Sequence, residues 1–397
     1  MPIELSELVN RIKPSPTMAL AGRATALKAQ GKDIINLSVG EPDFDTPEFI
    51  KQAAIKALAD GKTKYTPVAG TPSFKQAIVD KFAHENQLQY QSEQIIVSAG
   101  AKQCIFNACL VLLNPGDEAI IPAPYWVSYP DMVKITGATP KFIATSITQN
   151  YKITPTQLEQ AINKNTKLII LNSPSNPSGI IYSKAELKAL AEVLLQHPQI
   201  YIITDDIYEH INWSGSPFYN IVNVCPELYD RTVVVNGTSK AYAMTGWRIG
   251  YAAASVAITK AMQKIQSQST SCACSIAQAA SEAALNGDQT CIKNMLQAFK
   301  KRHDFVFKTL SSIQGIKVIP SDGTFYSFPD MQAIIDRTKN IQSDIELSDY
   351  LLSEAGIAIT PGTAFGSPGS MRISYAVAMD SLSNALDRLK LFIDRVI

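Results

Sequence analysis

Two cationic residues eight positions apart, Lys240 and Arg248, sit where this chain has the means to do covalent chemistry. Residues 231–252 run Arg-Thr-Val-Val-Val-Asn-Gly-Thr-Ser-Lys-Ala-Tyr-Ala-Met-Thr-Gly-Trp-Arg-Ile-Gly-Tyr-Ala. Residues 232–235 prefer extended backbone and read as a short buried strand, which Asn236-Gly237 breaks. Lys240 therefore falls just past a strand end, and a second apolar run over 249–254 follows Arg248. In an open α/β sheet, ligands bind outside the carboxyl ends of the strands. A lysine in a small polar loop is otherwise an ordinary solvated residue.

Burial or a cationic neighbour would lower the lysine's pKa enough for it to attack a carbonyl, and the commonest cofactor carbonyl is the aldehyde of pyridoxal phosphate. Arg248 offers a planar, bidentate donor for that cofactor's phosphate. The uninterrupted run Asn-Gly-x-x-Lys-Ala-x-Ala-Met-Thr-Gly-Trp-Arg-Ile-Gly-Tyr resembles the cofactor-binding segment of the class I/II aminotransferases of fold-type I. Within that family it is similar to the prokaryotic aspartate aminotransferase branch. The resemblance implies pyridoxal 5'-phosphate as cofactor, Lys240 as catalytic residue, and Ser239 and Arg248 as cofactor contacts.

The elements that must position these residues alternate between strand and helix. A helix near residues 3–12 is followed by a Lys13-Pro-Ser-Pro-Thr17 break, a helix through Gln30 and a strand over 34–39. That strand enters Gly40-Glu-Pro-Asp-Phe-Asp-Thr-Pro47, a turn fixed by two prolines and a glycine and also a signature of the same branch. The resemblance puts Gly40 and Thr17 at the substrate. Helices over 47–60 and 73–86 flank a turn-rich segment holding Tyr65. By itself Tyr65 is a half-buried loop aromatic; by resemblance it reaches the cofactor phosphate of a second subunit, which implies a homodimer with shared active sites.

A strand over 94–98 leads into a helix starting at Gly100-Ala-Lys-Gln103. Free backbone N–H groups at a helix N-terminus attract anions, although every βαβ unit has such a turn. The resemblance assigns Gly100, Ala101 and Lys102 to the phosphate. It further assigns the Lys102 side chain to the distal carboxylate of a substrate, where the residue alone would be a solvated first-turn lysine. The strand over 118–121 ends near Trp126, whose indole could stack on a flat heterocycle. In the family the matching residue does so. A strand over 167–171 precedes Asn172-Ser-Pro-Ser-Asn176-Pro-Ser-Gly179, which departs from the family's usual form at Ser175 and Ser178 but keeps Asn176, a neutral donor for a phenolate or a carboxylate.

Beyond a helix over 184–196 and a strand over 200–204 comes Asp205-Asp-Ile-Tyr208. A carboxylate here could bond a protonated pyridine nitrogen, and strand periodicity cannot choose between the two aspartates. The family pattern aligns Asp205 with that role and Tyr208 with the ring oxygen, leaving Asp206 to cap the following turn. Past the lysine segment, a helical region begins near residue 259, breaks at 269–274 and then resumes, running to about His303 and beyond. Strands are expected over 315–319, 323–328, 357–359 and 371–375, with a helix over 344–355 and a loop over 361–366. Arg372 within an apolar strand is costly without an anionic partner. The resemblance makes it the clamp on a substrate α-carboxylate.

The 397 residues are 46% hydrophobic and 18% charged with net charge +1, an ordinary globular balance that offers no electrostatic case for nucleic acid or an anionic membrane. No apolar run approaches the ~20 residues of a membrane span, and the N-terminus does not read as a signal peptide, so a cytoplasmic protein is expected. Six scattered cysteines read as free buried thiols, and the four histidines show no paired ligand spacing, so no metal is expected.

The expected fold is α/β of fold-type I: a large domain over 48–290 with a mostly parallel mixed sheet between helices, and a smaller α/β domain formed by 1–47 and 291–397. The expected activity is ping-pong transamination between L-aspartate and 2-oxoglutarate. Prephenate or aromatic transamination stays open, as does cysteine-conjugate β-elimination on the same fold.

Overall fold

The computed structural model describes residue 3 and residues 5–396; Met1, Pro2 and Glu4 of the N-terminal stretch lie outside the described residues. Twelve strands occur among them: β1 Ile35–Asn36, β2 Ile95–Ser98, β3 Glu118–Ala123, β4 Thr139–Ala144, β5 Thr166–Asn172, β6 Tyr201–Asp205, β7 Thr232–Gly237, β8 Gly250–Ala253, β9 Tyr326–Ser327, β10 Ile357–Ala358, β11 Thr360–Pro361 and β12 Met371–Ser374. The main sheet has seven strands in the order β2-β8-β7-β6-β5-β3-β4. Only β8 runs against the rest, pairing antiparallel with both β2 and β7.

These strands are nearly continuous apolar runs because both faces are covered by helices. Side chains alternate between the two faces. Val234, Ile202 and Ile95 share one core with Phe74, Phe82 and Leu190, while Val233, Val235, Ile203 and Ile96 share another with Cys104, Ile105 and Met262. The helices Pro72–Asn86 and Lys184–Leu195 serve the first face, and Ala101–Leu112 and Val256–Ser267 the second.

Residues near both ends of the chain build the remaining sheets. β1 pairs in parallel with β10, Ile35 opposite Ile357, and β12 lies between β11 and β9. Their core joins Phe299, Val306 and Leu310 of the helix Thr290–Ser311 to Ile357, Ile373, Leu386 and Phe392.

Several expectations need correction. Only Glu7–Asn10 of the 3–12 stretch is helical among the described residues, and Thr17 lies inside the helix Pro16–Ala29 rather than in a break. The helical region after residue 259 has a second break, between Ser275–Asn286 and Thr290–Ser311. No strand forms over 315–319; Lys317 makes an isolated bridge to Asp330. The strand over 34–39 shrinks to β1, since its neighbours bond to single residues of the C-terminal part. Elements not anticipated include the short helices Tyr129–Ile135, Pro155–Ala161, Ile221–Val224 and Gln332–Arg337, the edge strand β4, whose Thr-Pro-Lys start has no apolar alternation, and the helix Met379–Val396, although its apolar residues recur at helical spacing. Of the cysteines, Cys104, Cys109 and Cys225 are buried, Cys272 and Cys291 are half-buried, and Cys274 is exposed.

Candidate active site

Five loops reach one edge of the main sheet for a topological reason. β2, β3, β5, β6 and β7 all point their carboxyl ends there, carrying Gly100, Trp126, Asn176, Asp205 and Lys240 in turn. β8 runs the other way, so Arg248, which precedes it, lands at the same edge. A cavity of about 350 Å³ lies above this edge, lined by Thr17, Gly40, Ala101, Lys102, Trp126, Asn176, Asp205, Tyr208, Ser239, Lys240, Arg248 and Arg372. A larger cleft of about 820 Å³ lies elsewhere, near Glu85, Tyr219 and Lys293, and gathers none of these residues.

At the cavity's centre Lys240 donates from Nζ to the Gly40 carbonyl at 2.7 Å. Burial lowers its pKa to about 8; Arg372 and Arg248 push the same way against the opposing charges of Glu41 and Asp205. An amine with that pKa is still mostly protonated at neutral pH but holds far more of the neutral form that a nucleophile or base needs than an ordinary lysine does.

The Ala101–Leu112 helix begins at Gly100, whose φ of +91° suits glycine, and Arg248 itself adopts φ +56°. Its guanidinium bonds the carbonyls of Thr245 at 3.0 Å and Ala99 at 3.4 Å. A Cβ on Gly100 would sit 2.4 Å from Arg248 Nη2, and one on Gly250 would sit 2.0 Å from the Ala101 nitrogen. Both glycines permit an approach that builds an anion cradle from an arginine, the free first-turn N–H groups and the neighbouring Ser239 loop.

Asp205 ends β6, and Asp206 directly after it turns its side chain to different partners. Asp205 lines the cavity, accepts from the Tyr129 hydroxyl at 2.6 Å, and takes the Ile207 N–H at 3.4 Å. Asp206, expected to cap the turn, is instead buried and accepts from Thr204 Oγ1 at 2.6 Å and Asn220 Nδ2 at 2.8 Å. Burial raises the pKa of Asp205 to about 6 despite those hydrogen bonds, so a cationic partner in the cavity would stabilise its charged form.

Arg372 is 3% exposed and pairs with no carboxylate among the described residues. It donates to Asn176 Oδ1 at 3.1 Å and to the Ser38 carbonyl at 2.6 Å, while its Nε has no partner. Its guanidinium lies 4.5 Å from the Tyr326 ring centre and 4.9 Å from that of Phe365. A buried guanidinium that faces a cavity and pairs with no carboxylate is suited to an anionic ligand.

Asn176 is held by Asn172, whose side chain accepts the Asn176 N–H at 2.7 Å. The Trp126 indole packs edge-on against Tyr129, with Lys102 Nζ 4.9 Å from its ring centre. Thr17 hydrogen-bonds Ser15 at the cavity rim, 3.0 Å between hydroxyl oxygens. Tyr65 does not line the cavity and is 92% exposed.

Sequence reasoning missed Tyr326 and Tyr129. The Tyr326 hydroxyl bonds that of Tyr208 at 2.8 Å and would lie 2.5 Å from a Cβ on Gly40. The bond from Tyr129 to Asp205 has no sequence signal because 76 positions separate the two.

A lysine with lowered pKa, an arginine beside a helix N-terminus, a buried carboxylate and a buried arginine without a carboxylate partner meet at one sheet edge, an arrangement able to do carbonyl chemistry on an anionic ligand. Residues 32–389 match the family model described as aminotransferase class I and II, and the chain belongs to that family. It is 54% identical to the aspartate/prephenate aminotransferase of Nitrosomonas europaea over 98% of this chain and 99% of that protein. Identity to the aspartate aminotransferase of Rhizobium meliloti is 46%, over 98% and 96%. Among solved structures, an aspartate aminotransferase from Rhizobium meliloti superposes with a TM-score of 0.96 at 45% identity over the whole of both chains. That from Thermus thermophilus with maleate gives 0.93 at 39%, again over both whole chains.

Proposed function

We propose that this aminotransferase uses pyridoxal 5'-phosphate to move the amino group of L-aspartate to 2-oxoglutarate, giving oxaloacetate and L-glutamate by a ping-pong mechanism. The observation that carries the reading is the convergence of the Lys240 amine and the unpaired Arg372 guanidinium on one cavity. Relatives named aspartate aminotransferase, and a neighbour solved with the dicarboxylate maleate, support it.

The residues present fit the cofactor. Arg248, Ser239 and the backbone of Gly100, Ala101 and Lys102 would hold its phosphate. Asp205 would accept from its ring nitrogen, Asn176 and Tyr208 would donate to its ring oxygen, and Trp126 would cover the ring. When bound, the cofactor supplies a carbonyl for the amino group and a ring that withdraws electrons from the substrate Cα. Arg372 binds the substrate α-carboxylate, with Gly40 backing the substrate. The neutral Lys240 amine would take the Cα proton on Nζ. Charge on Asp205 favours the protonated ring nitrogen throughout.

Lys102 at the cavity mouth, with Thr17 nearby, would meet the distal carboxylate of aspartate. Lys102→Ala should lower kcat/KM for aspartate by about 10-fold or more while alanine and phenylalanine change little. Equal losses for all donors, read by steady-state kinetics, would confine Lys102 to the phosphate. The same cavity has an apolar wall from Met18, Val39 and Ile105, which favours prephenate as a second substrate, as in the relatives named for it.

We also infer a homodimer in which Tyr65, almost fully exposed here, reaches the second copy's cofactor phosphate. The inferred domains are 48–290 and, jointly, 1–47 and 291–397. A cytoplasmic location accords with there being, among the described residues, no helix long and apolar enough to cross a membrane.

The test is the visible spectrum of the cofactor-loaded protein before and after L-aspartate, then 2-oxoglutarate. Loss of the bound-cofactor band on aspartate and its return with the oxo acid is the expected result. A band indifferent to aspartate would remove it as donor and turn the assay to prephenate and aromatic amino acids.

A further inference from the structure

Directly after Tyr208 comes Glu209, a carboxylate with no place in the mechanism above and one of the least exposed charges in the protein. Its side chain is 4% exposed and forms an ion pair with Lys81, itself 2% exposed, from the helix Pro72–Asn86. Lys81 also donates to Asn86 Oδ1 at 2.7 Å, and Asn86 Nδ2 donates back to Glu209 Oε2 at 2.6 Å. A third donor, Asn236 Nδ2, reaches Glu209 Oε1 at 2.7 Å, while Asn236 Oδ1 accepts the Gly237 N–H at 2.7 Å. Asn236 belongs to β7, whose end leads to Lys240.

This carboxylate therefore ties three segments together: the turn bearing Tyr208, the strand end bearing Lys240, and a helix on the sheet's face. Taking an ion pair out of water is costly, and an apolar pair of similar volume is often as stable. Stability alone thus accounts poorly for the pair, whereas directional bonds that fix two loops account for it well. The Tyr208 hydroxyl is located from the other side by Tyr326. Glu85 and His210 extend the cluster, with His210 Nε2 2.8 Å from Glu85 Oε2 and Lys81 Nζ 3.5 Å from the same oxygen. Glu85, Glu209 and His210 could each offer a ligand atom to a metal ion, but the Lys81 ammonium already occupies the space between the two carboxylates. Burial works to raise the Glu209 carboxyl, yet Lys81 and His210 outweigh it and hold its pKa below the ordinary value.

We propose that Glu209, clamped by Lys81, Asn86 and Asn236, is a positioning residue that sets the placement of the Tyr208 hydroxyl relative to Lys240. This rests on the reading that Tyr208 donates to the cofactor's ring oxygen and Lys240 holds its carbonyl carbon. A donor to an anionic ring oxygen favours the unprotonated form of the bound cofactor, so displacing the Tyr208 hydroxyl raises the pH midpoint of the visible band. The charged and titratable groups facing Lys240 are Glu41, Asp205, Arg248 and Arg372, with the Tyr208 and Tyr326 hydroxyls beside it. The substitutions below leave all of these unchanged except where Tyr208 itself is the control.

The experiment is a spectral pH titration of the cofactor-loaded double variant Lys81→Met/Glu209→Gln, which removes both charges and strands neither. Its midpoint should rise by about one pH unit, as in Tyr208→Phe, and the triple variant should show little further rise. A double variant with lowered melting temperature but an unmoved midpoint, while Tyr208→Phe does shift, would make the network structural only and overturn the inference. An unmoved midpoint in Tyr208→Phe itself would instead remove the underlying assignment of Tyr208, and the inference with it. If the double variant does not fold, Asn236→Ala keeps the ion pair and cuts the tie to β7, together with the Asn236 bond to the Gly237 N–H. A rise of about half a unit is then expected, and no rise overturns the proposal.

Discussion

Replacing Lys240 by alanine should abolish transamination, with a fall in turnover of at least about four orders of magnitude, and should remove the visible band of covalently held cofactor. The expectation follows from the two tasks that the proposed mechanism gives to one amine, attachment of the cofactor and movement of the Cα proton. No other amine in the cavity is equivalent. Lys102 sits at the mouth, 4.9 Å from the centre of the Trp126 ring, whereas Lys240 bonds the Gly40 carbonyl at the centre. The pH dependence has a definite sign. Because burial depresses the Lys240 pKa to about 8, the neutral amine appears well below the ordinary lysine range. Acylation of Lys240 in cofactor-free protein, followed by mass spectrometry, should therefore show a midpoint near pH 8 rather than near the usual ~10.4. Measurable turnover by Lys240→Ala in a protein that still binds cofactor would take the catalytic role from this residue.

Arg372→Ala should raise KM for every amino donor and lower kcat/KM by roughly 100- to 1,000-fold, about 3–4 kcal/mol. The guanidinium is buried, has no acid of its own and leaves Nε unbonded, so its charge goes uncompensated until a carboxylate arrives. The same argument predicts no selectivity: the α-carboxylate is the one anionic group that aspartate, phenylalanine and alanine have in common, so they should lose equally. Loss confined to dicarboxylates, read from parallel steady-state assays, would move the α-carboxylate site elsewhere and give Arg372 the distal one. Arg372→Lys should not restore full activity, because a point charge cannot keep the bonds to Asn176 and Ser38 while presenting a second planar edge.

The Glu209 network and the Arg372 site share a feature. In each, a charge lies where water cannot reach, and the surrounding chain is committed to one geometry around it. The difference is that Glu209 is fully paired within the protein and Arg372 is not. A fully paired charge fixes neighbours; an unpaired one waits for a ligand.

What the sequence determined by itself was the local chemistry. The strand ahead of Lys240 is legible because Thr232–Val235 prefer extended backbone and Asn236-Gly237 ends the run, and the same logic locates the strand ends before Gly100, Trp126, Asn176 and Asp205. The run from Asn236 to Tyr251 carries enough agreement to mark the family. What only the tertiary structure decided was convergence and orientation. That Arg248 joins the other loops depends on β8 running against its neighbours, and strand direction is set by pairing partners far away in the chain. That Asp205 rather than Asp206 faces the cavity depends on which sheet face each covers. The bonds from Tyr129 to Asp205 and from Tyr326 to Tyr208 join residues 76 and 118 positions apart, and no local pattern encodes them. Periodicity records only whether a residue is covered, whereas the identity of what covers it is fixed when the sheet order forms and distant strands are brought side by side.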